Sequence, residues 1–448
     1  MTALIDEGRG GVAGRGCGAW PAVTSTGRRA AGLLAALLLV AGGCAGQATK
    51  ARGGGAAPAA EWPQWRGPNR DGVAAASAPK AWPKELKERW RVNVGVGHSS
   101  PVVAAGRVYH FTRAGEAEVL LCLDAATGKE LWRSEPLPVP YEMNPAARGH
   151  GKGPKSTPVV ASGRVYTLGI AGALSAHDAQ TGRLVWRKEF SKQFPATSPL
   201  YGTAMSPLVE GGLLVAHVGG HDGGALTAFD AATGAVRWSY DADGPAYSSP
   251  VAATLGGERQ IMTFTQKEFV SVSAATGRPL WRLPARTSYD TNSVTPVVFG
   301  DTVILSLEGQ GMVAVRPARQ GAGWAAPEVW RNREHELYMN SPVLGGGTLY
   351  GFSTRKKGQL FALDAATGRT LWQGPGRAGE NAALVLAAGS LLALTNDASL
   401  IVLPAGAREY APAAQYAVAQ SQTWAHPILT RDGLIVKDET TLAFYSFL

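Results

Sequence analysis

From Ser100 onward the chain repeats one pattern of apolar and polar positions. Ser100-Pro101 leads into Val102-Val103, a glycine turn follows at Gly106, and apolar and aromatic residues then alternate through Val108 and Tyr109. Equivalent segments begin at Pro158, Pro207, Pro250, Pro296 and Pro342, with a weaker one at Ala382-Ala383-Leu384 and a last one at His426-Pro427-Ile428. A second apolar run in most units ends in a turn and a tryptophan. Asp124-Ala-Ala-Thr-Gly128 is followed by Trp132. The pattern returns as Asp178–Gly182 with Trp186, Asp230–Gly234 with Trp238, Ser273–Gly277 with Trp281 and Asp364–Gly368 with Trp372, and a degenerate copy ends at Trp330. Eight units with a period of about 47 residues describe a repeat architecture.

Each unit predicts four short strands. In the first they are the Ser-Pro-Val-Val segment, Arg107–Phe111, Val119–Ala125 and Lys129–Arg133. The Asp of the turn can accept from backbone N–H groups two or three residues on, and its Gly supplies a positive φ. The tryptophan is large and flat enough to pack between neighbouring sheets. Four-stranded units of this length, repeated around a ring, predict an all-β, eight-bladed β-propeller with antiparallel blades. Seven blades is the alternative, because the seventh unit has neither the D-x-x-T-G turn nor the tryptophan. The eighth unit stops at Leu448 after about three strands' worth of chain. Trp90, in Leu86–Val92, has no unit before it. This N-terminal segment is therefore expected to supply the outer strand of the last blade and close the ring.

Composition agrees: 57 Gly and 28 Pro suit many turns. Cys17, Cys44 and Cys122 are too few for a disulfide scaffold or a four-cysteine zinc site. A net charge of +9 with no Lys/Arg run gives no nucleic-acid signal. Arg28-Arg29 precede an apolar run from Ala30 to Ala41 and then Gly42-Gly43-Cys44, the layout of an export signal and too short for a comfortable membrane span. The expected division is a signal peptide over 1–43, a flexible tether over 44–60, a lead-in segment over 61–85 and the propeller over 86–448. Small residues before Cys44 resemble a bacterial lipoprotein signal, which implies lipid on Cys44 and a membrane anchor; plain secretion is the alternative.

The D-A-x-T-G-x-x-x-W unit resembles the tryptophan-docking signature of the pyrroloquinoline-quinone (PQQ)-like repeat propellers, across about residues 61–448. Trp90, Trp132, Trp186, Trp238, Trp281, Trp330 and Trp372 are the docking residues that this resemblance implies. Glu61-Trp-Pro-Gln-Trp65-Arg-Gly-Pro-Asn-Arg-Asp71 is similar to the opening of a large group of exported bacterial members. The eight-unit ring with a lipoprotein-type signal is also similar to the BamB-type proteins, scaffolds of outer-membrane protein assembly. That side of the family implies a non-catalytic, monomeric module with envelope protein partners and no cofactor. The quinoprotein alcohol dehydrogenases, on the other side, imply PQQ and Ca²⁺ on the axis. The chain departs from that side: its three cysteines are far apart, so no adjacent pair covers a quinone, and no C-x-x-C-H is present for haem.

Candidate chemistry lies in the segments just before the innermost strands, which rim the axial channel on one face. They carry His98, Tyr201, Tyr247, Tyr289, Asp290, Asn292, Tyr338, Asn340, Glu380, Asn381, Trp424 and His426. Convergence of such groups is a ligand-site signal, and a wet channel lining is the alternative. Asp290, Asn292, Glu380 and Asn381 are residue types that suit Ca²⁺, and Asp290 is the candidate base of a dehydrogenase. No metal site is expected elsewhere. Cys122 aligns with Ala176, Ala228, Ser271 and Ala362 and is expected to be a small buried residue. The insertion between Trp132 and Pro158 is basic and Gly-rich in its second half, through His150, Lys152 and Lys155, and suits an anionic ligand or an acidic partner segment.

Overall fold

Eight four-stranded antiparallel blades succeed one another along the chain in the computed structural model, which describes residues 61–448 apart from 195–197 and 242. The export signal, Cys44 and the tether lie outside the described residues. Blade 1 is Val102–Ala104, Arg107–Ala114, Ala117–Asp124 and Glu130–Arg133. The innermost strands of blades 2 to 6 are Val159–Ala161, Leu208–Glu210, Val251–Leu255, Val297–Phe299 and Val343–Gly345, each starting one residue after the repeated proline. Blade 5 carries an extra hairpin, Ala318–Gln320 with Gly323–Ala325.

The seventh unit forms a complete blade, which decides the count at eight. Its four strands are Ala382–Ala388, Ser390–Thr395, Ser399–Pro404 and Ala414–Ala417, and buried Tyr416 occupies the outer strand in place of a tryptophan. Blade 8 is Ile428–Leu429, Gly433–Lys437 and Thr441–Ser446, completed by the N-terminal strand Lys87–Asn93, with Trp90 opposite Phe444. The expected closure by the Trp90 segment is thus present.

The tryptophans do more than fill space between sheets. Each turn aspartate folds its own turn: Asp124 Oδ1 accepts from Thr127 N at 2.9 Å and from Thr127 Oγ1 at 2.7 Å, and Asp178, Asp230 and Asp364 repeat the pair. The turn glycine then takes φ near +71°, as at Gly128, Gly234 and Gly277. With no Cβ there, the tryptophan of the preceding blade lies directly on the glycine. Trp90 covers Gly128, Trp132 covers Gly182, Trp186 covers Gly234, Trp238 covers Gly277 and Trp330 covers Gly368. The indole N–H donates to the turn's alanine carbonyl, from Trp90 to Ala125, Trp186 to Ala231, Trp238 to Ala274 and Trp330 to Ala365. Trp372 makes the same bond to Ala407 in blade 7, although that turn has lost its aspartate. Trp281 faces the blade with the extra hairpin and donates to Gln260 of its own blade instead. Cys122, opposite Trp132, is fully buried, as its aligned small neighbours suggest.

A Cβ built on Gly277 would stand 2.5 Å from the Trp238 ring, at a φ of +71°. Gly277→Ala is therefore expected to lose about 1–2 kcal/mol from the left-handed backbone alone, and more from the displaced indole. A drop in melting temperature measures it, and an unchanged value would contradict the docking role.

Residues 61–77 run through the axial channel and touch all eight blades, blade 8 through Trp65 against His426. Trp62 pairs with Val103 of blade 1 through both backbone bonds, and Pro63 accepts from Val160 N of blade 2. Arg70, buried, donates Nη2 to Ser206 O and Nη1 to Pro207 O of blade 3, and Nε to Pro250 O of blade 4. Trp65 Nε1 donates to Thr295 Oγ1 of blade 5, and Arg66 Nη2 to Pro342 O of blade 6. Val73–Ser77 adds a parallel strand to the inner edge of blade 7. Prolines at the start of the inner strands have no N–H, so the channel wall here is a set of carbonyl acceptors that guanidinium groups fit.

Candidate functional site

The residue before each repeated proline explains its own chemistry. Thr157 Oγ1 accepts from Ser100 N, Ser206 Oγ from Thr157 N, Ser249 Oγ from Ser206 N, Ser341 Oγ from Thr295 N, and Ser100 Oγ from His426 N. A hydroxyl at this position lets each blade accept from the backbone of the one before it. This partial belt of bonds holds the inner loops at fixed positions around the axis. On it rests an open mouth with a cavity of ≈ 140 Å³, lined by aromatic and polar side chains of the inner loops.

Seven of the sequence-predicted residues meet there: His98, Tyr201, Tyr247, Asn340, Asn381, Trp424 and His426. Tyr201 and Tyr247 pack edge to face, 5.7 Å between centroids, and Tyr247 Oη accepts from Tyr201 N. His98 lies 5.9 Å from Trp424 and donates Nε2–H to the His150 carbonyl at 3.0 Å. Burial holds the His98 and His426 imidazoles neutral, with pKa values pushed down to about 3. Burial also raises the Tyr201 hydroxyl to about 12.

Of the other five, Tyr338 sets its hydroxyl beside that of Tyr201 and Glu380 lies within electrostatic reach of His150, while Tyr289, Asp290 and Asn292 stand apart from the mouth. Tyr289 is 69% exposed. Asp290 has φ +55°, and its carboxylate accepts from Gln266 Nε2 at 3.0 Å. Asn292 is buried but spends its amide N–H groups on the carbonyls of Thr265, Gln266 and Ala285. Tyr338 contributes a carbonyl to the Ser293 hydroxyl, and exposed Glu380 lines a neighbouring groove with Lys357 and Arg377. The expected oxygen cluster of Asp290, Asn292, Glu380 and Asn381 is therefore not assembled: only Asn381 faces the mouth.

Nine lining residues lie outside the predicted set, and three of them add ring or charge chemistry from elsewhere in the chain. Trp65 comes from the lead-in and meets His426 edge to face at 4.5 Å. His150 and Lys155 come from the basic insertion. A short 3₁₀ turn over Pro145–His150, capped by Asn144, brings the insertion back across the mouth, and Pro154 O accepts from His98 N and Ser99 N. His150 then packs against Tyr201 at 4.9 Å and Trp424 at 5.3 Å. Lys155 Nζ donates to Gly151 O at 3.0 Å, and burial lowers its pKa to about 8. The Gly-rich basic character of the insertion was the available signal; nothing local in Trp65 distinguishes it from Trp62, which pairs with blade 1.

The family model described as outer membrane protein assembly factor BamB matches residues 115–374. The chain belongs to this family. The BamB of Burkholderia pseudomallei is 28% identical over 239 residues, covering 51% of this chain and 58% of that protein. The dehydrogenase subunit of the quinone alcohol dehydrogenase of Komagataeibacter europaeus is 32% identical over 168 residues, covering 35% of this chain and 21% of that one. These matches span between a fifth and three fifths of the curated relatives' length. Among solved structures, BamB from Moraxella catarrhalis superposes with a TM-score of 0.57 at 14% identity, covering 81% of this chain and 99% of that chain. That likeness shares the fold.

The quinoprotein side of the kinship raises PQQ with Ca²⁺, which can be tested against the mouth itself. Ca²⁺ takes six to eight oxygens, with carboxylates prominent. The lining offers amides, hydroxyls, imidazoles and an ammonium, and no carboxylate. Among the described residues no group of three or more His, Cys, Asp and Glu is placed to hold a metal ion. Arg66, cationic and buried near His426, makes the mouth less hospitable still to a divalent cation. A Ca²⁺-bound quinone does not fit this donor set, and no catalytic step is derived through one.

Proposed function

We propose that the protein is an exported cell-envelope propeller that acts as a protein-binding scaffold in the manner of outer-membrane assembly factors, without catalysis of its own. One observation carries the reading. The outer strands of blades 1, 2, 3 and 5 are sheet edges, and they turn apolar side chains to solvent at or just before the position preceding the docking tryptophan. Leu131 is 45% exposed, Val185 37%, Val236 58% and Val329 39%. An open strand edge with apolar residues beside it is a template for an extended partner segment, which would add backbone bonds along the edge and seat alternate side chains. Docking tryptophans on the inner side, buried in blades 3 and 5 and half-buried in blades 1 and 2, hold those edges in place. Attachment to the membrane through lipid on Cys44, and action as a monomer, belong to the same reading.

A photo-reactive residue at Leu131 or Val236 in the living cell tests it. The expected result is adducts with envelope proteins of the outer-membrane assembly route, reduced by Val185→Asp on the neighbouring blade. Absence of adducts at both rim positions, together with PQQ- and Ca²⁺-dependent dehydrogenase activity in the purified protein, would overturn it in favour of an oxidoreductase.

A further inference from the structure

We infer that the axial mouth binds a small ring-bearing carboxylate, taken without a metal ion. This goes beyond the scaffold reading and does not depend on it. Three independent features of the mouth point the same way.

The first is unpartnered polarity. Asn340 is 3% exposed, and neither its Nδ2 nor its Oδ1 has a hydrogen-bond partner. Asn381 Oδ1 and His426 Nδ1 are in the same state, and all three residues line the mouth. Buried amides are normally satisfied, and one left dry is costly. The loops that carry Asn340 and His426 are held by the hydroxyl belt. The backbones that carry these side chains are therefore fixed at the mouth. Donors and acceptors kept ready in this way are what orients a ligand.

The second is the wall. Trp65, Trp424, Tyr201 and His150 present ring faces and edges around one space, with His150 bridging Tyr201 and Trp424. Aromatic walls favour a flat or ring-shaped body, whether an aromatic ring or the apolar face of a sugar.

The third is charge. Lys155 reaches the mouth from the insertion, and its ammonium has three N–H groups, of which the Gly151 carbonyl takes one at 3.0 Å and the Gly153 carbonyl accepts only at 3.5 Å. Arg66 lies behind His426 with Nε and Nη1 unpartnered. Asp71 faces Arg66 and Glu380 lies within reach of His150 from outside the mouth, but no carboxylate stands among the lining residues beside Lys155. A cationic guest would meet like charge, and a neutral ring would leave Lys155 unpaired. An anionic carboxylate on the ring satisfies Lys155 directly and can accept from the Asn340 amide. His98 and His426, neutral at ordinary pH, serve as hydrogen-bonding groups and not as further cations.

The test is a calorimetric titration of the purified full-length protein in EDTA, repeated by tryptophan fluorescence. The probes are indole-3-carboxylate and glucuronate, their neutral counterparts indole and glucose, and benzyltrimethylammonium. Saturable binding of at least one anion, tenfold or more tighter than its neutral counterpart, is expected. Lys155→Met should remove that tenfold preference while leaving the neutral probe unchanged, and Trp424→Ala should weaken both. Melting temperatures of both variants, read alongside, report that they remain folded. Indole-3-carboxylate alone would identify an aromatic acid as the guest class, and glucuronate alone a sugar acid. Failure of both anions, equal affinity for anion and neutral probe, preference for the ammonium, or binding that appears only with added Ca²⁺ would each overturn the inference. None of these outcomes bears on rim crosslinking, so the two proposals fail separately.

Discussion

Replacing Trp90 with alanine is expected to destabilise the protein by about 3–5 kcal/mol, the range for a buried tryptophan cut back to a methyl group. Trp90 is 8% exposed, rests on Gly128 and donates its indole N–H to Ala125 O at 3.2 Å. It also stacks on Phe444 across the closing strand pair, 6.0 Å between centroids. Its loss differs from the loss of any other docking residue, because it lies on the N-terminal strand that closes blade 8. Every other outer strand follows the third strand of its own blade in the chain; Lys87–Asn93 instead runs on into blade 1, and strand pairing and side chains join it to the rest of blade 8. Trp132→Ala is the control. That indole docks the same way but is half-buried, and its N–H has no partner. It should cost clearly less. Guanidinium denaturation of both variants, compared at their midpoints, makes the measurement. A Trp90 variant no less stable than the Trp132 variant would remove the special status of the seam.

Arg70→Met is expected to cost a similar amount, about 3–5 kcal/mol. Replacing a buried ion pair by apolar residues is often harmless, because both charged partners leave together. Here the partners are backbone carbonyls of Ser206, Pro207 and Pro250, at 2.8, 2.9 and 2.7 Å, and they stay. Each would be left dry inside the channel. Burial already pushes the Arg70 guanidinium down to about 9, which marks how fully it has been taken from water. Arg70→Lys is expected to restore under half of the loss. A single ammonium centre cannot reach three acceptors spread over two blades with the geometry of a planar fork. Denaturation midpoints measure the energy, and limited proteolysis within residues 61–77 measures whether the lead-in has left the axis. A variant of unchanged stability with a protected lead-in would show that other contacts hold the segment.

The repeat, the strand pattern and the turn chemistry were legible because each is local. Asp124 and Thr127 make their bonds within four residues, and Gly128 needs its φ whatever lies around it. The closing role of Trp90 could be read from counting, since a tryptophan without a unit must serve one that lacks it. The mouth was legible as a place but only partly as a list. His98, Tyr247, Asn340 and His426 all lie within three residues before a repeated proline, so periodicity carried them to the axis together. Asp290 lies further back, its left-handed backbone accompanies a carboxylate turned to Gln266, and Asn292 two residues on is consumed by three carbonyls. A backbone sign change at one residue is not written in residue type.

By itself, then, the sequence determined an eight-unit all-β ring, its docking tryptophans, its closure and the face on which polar loops gather, because all of these repeat or act over a few residues. Only the tertiary structure decided that Tyr416 completes the seventh blade, that Arg66 and Arg70 fill the channel and that Trp65, His150 and Lys155 complete the mouth. Those residues occur once each, far from their partners in the chain, and they acquire a role only when eight blades present their inner carbonyls and loops to a common axis.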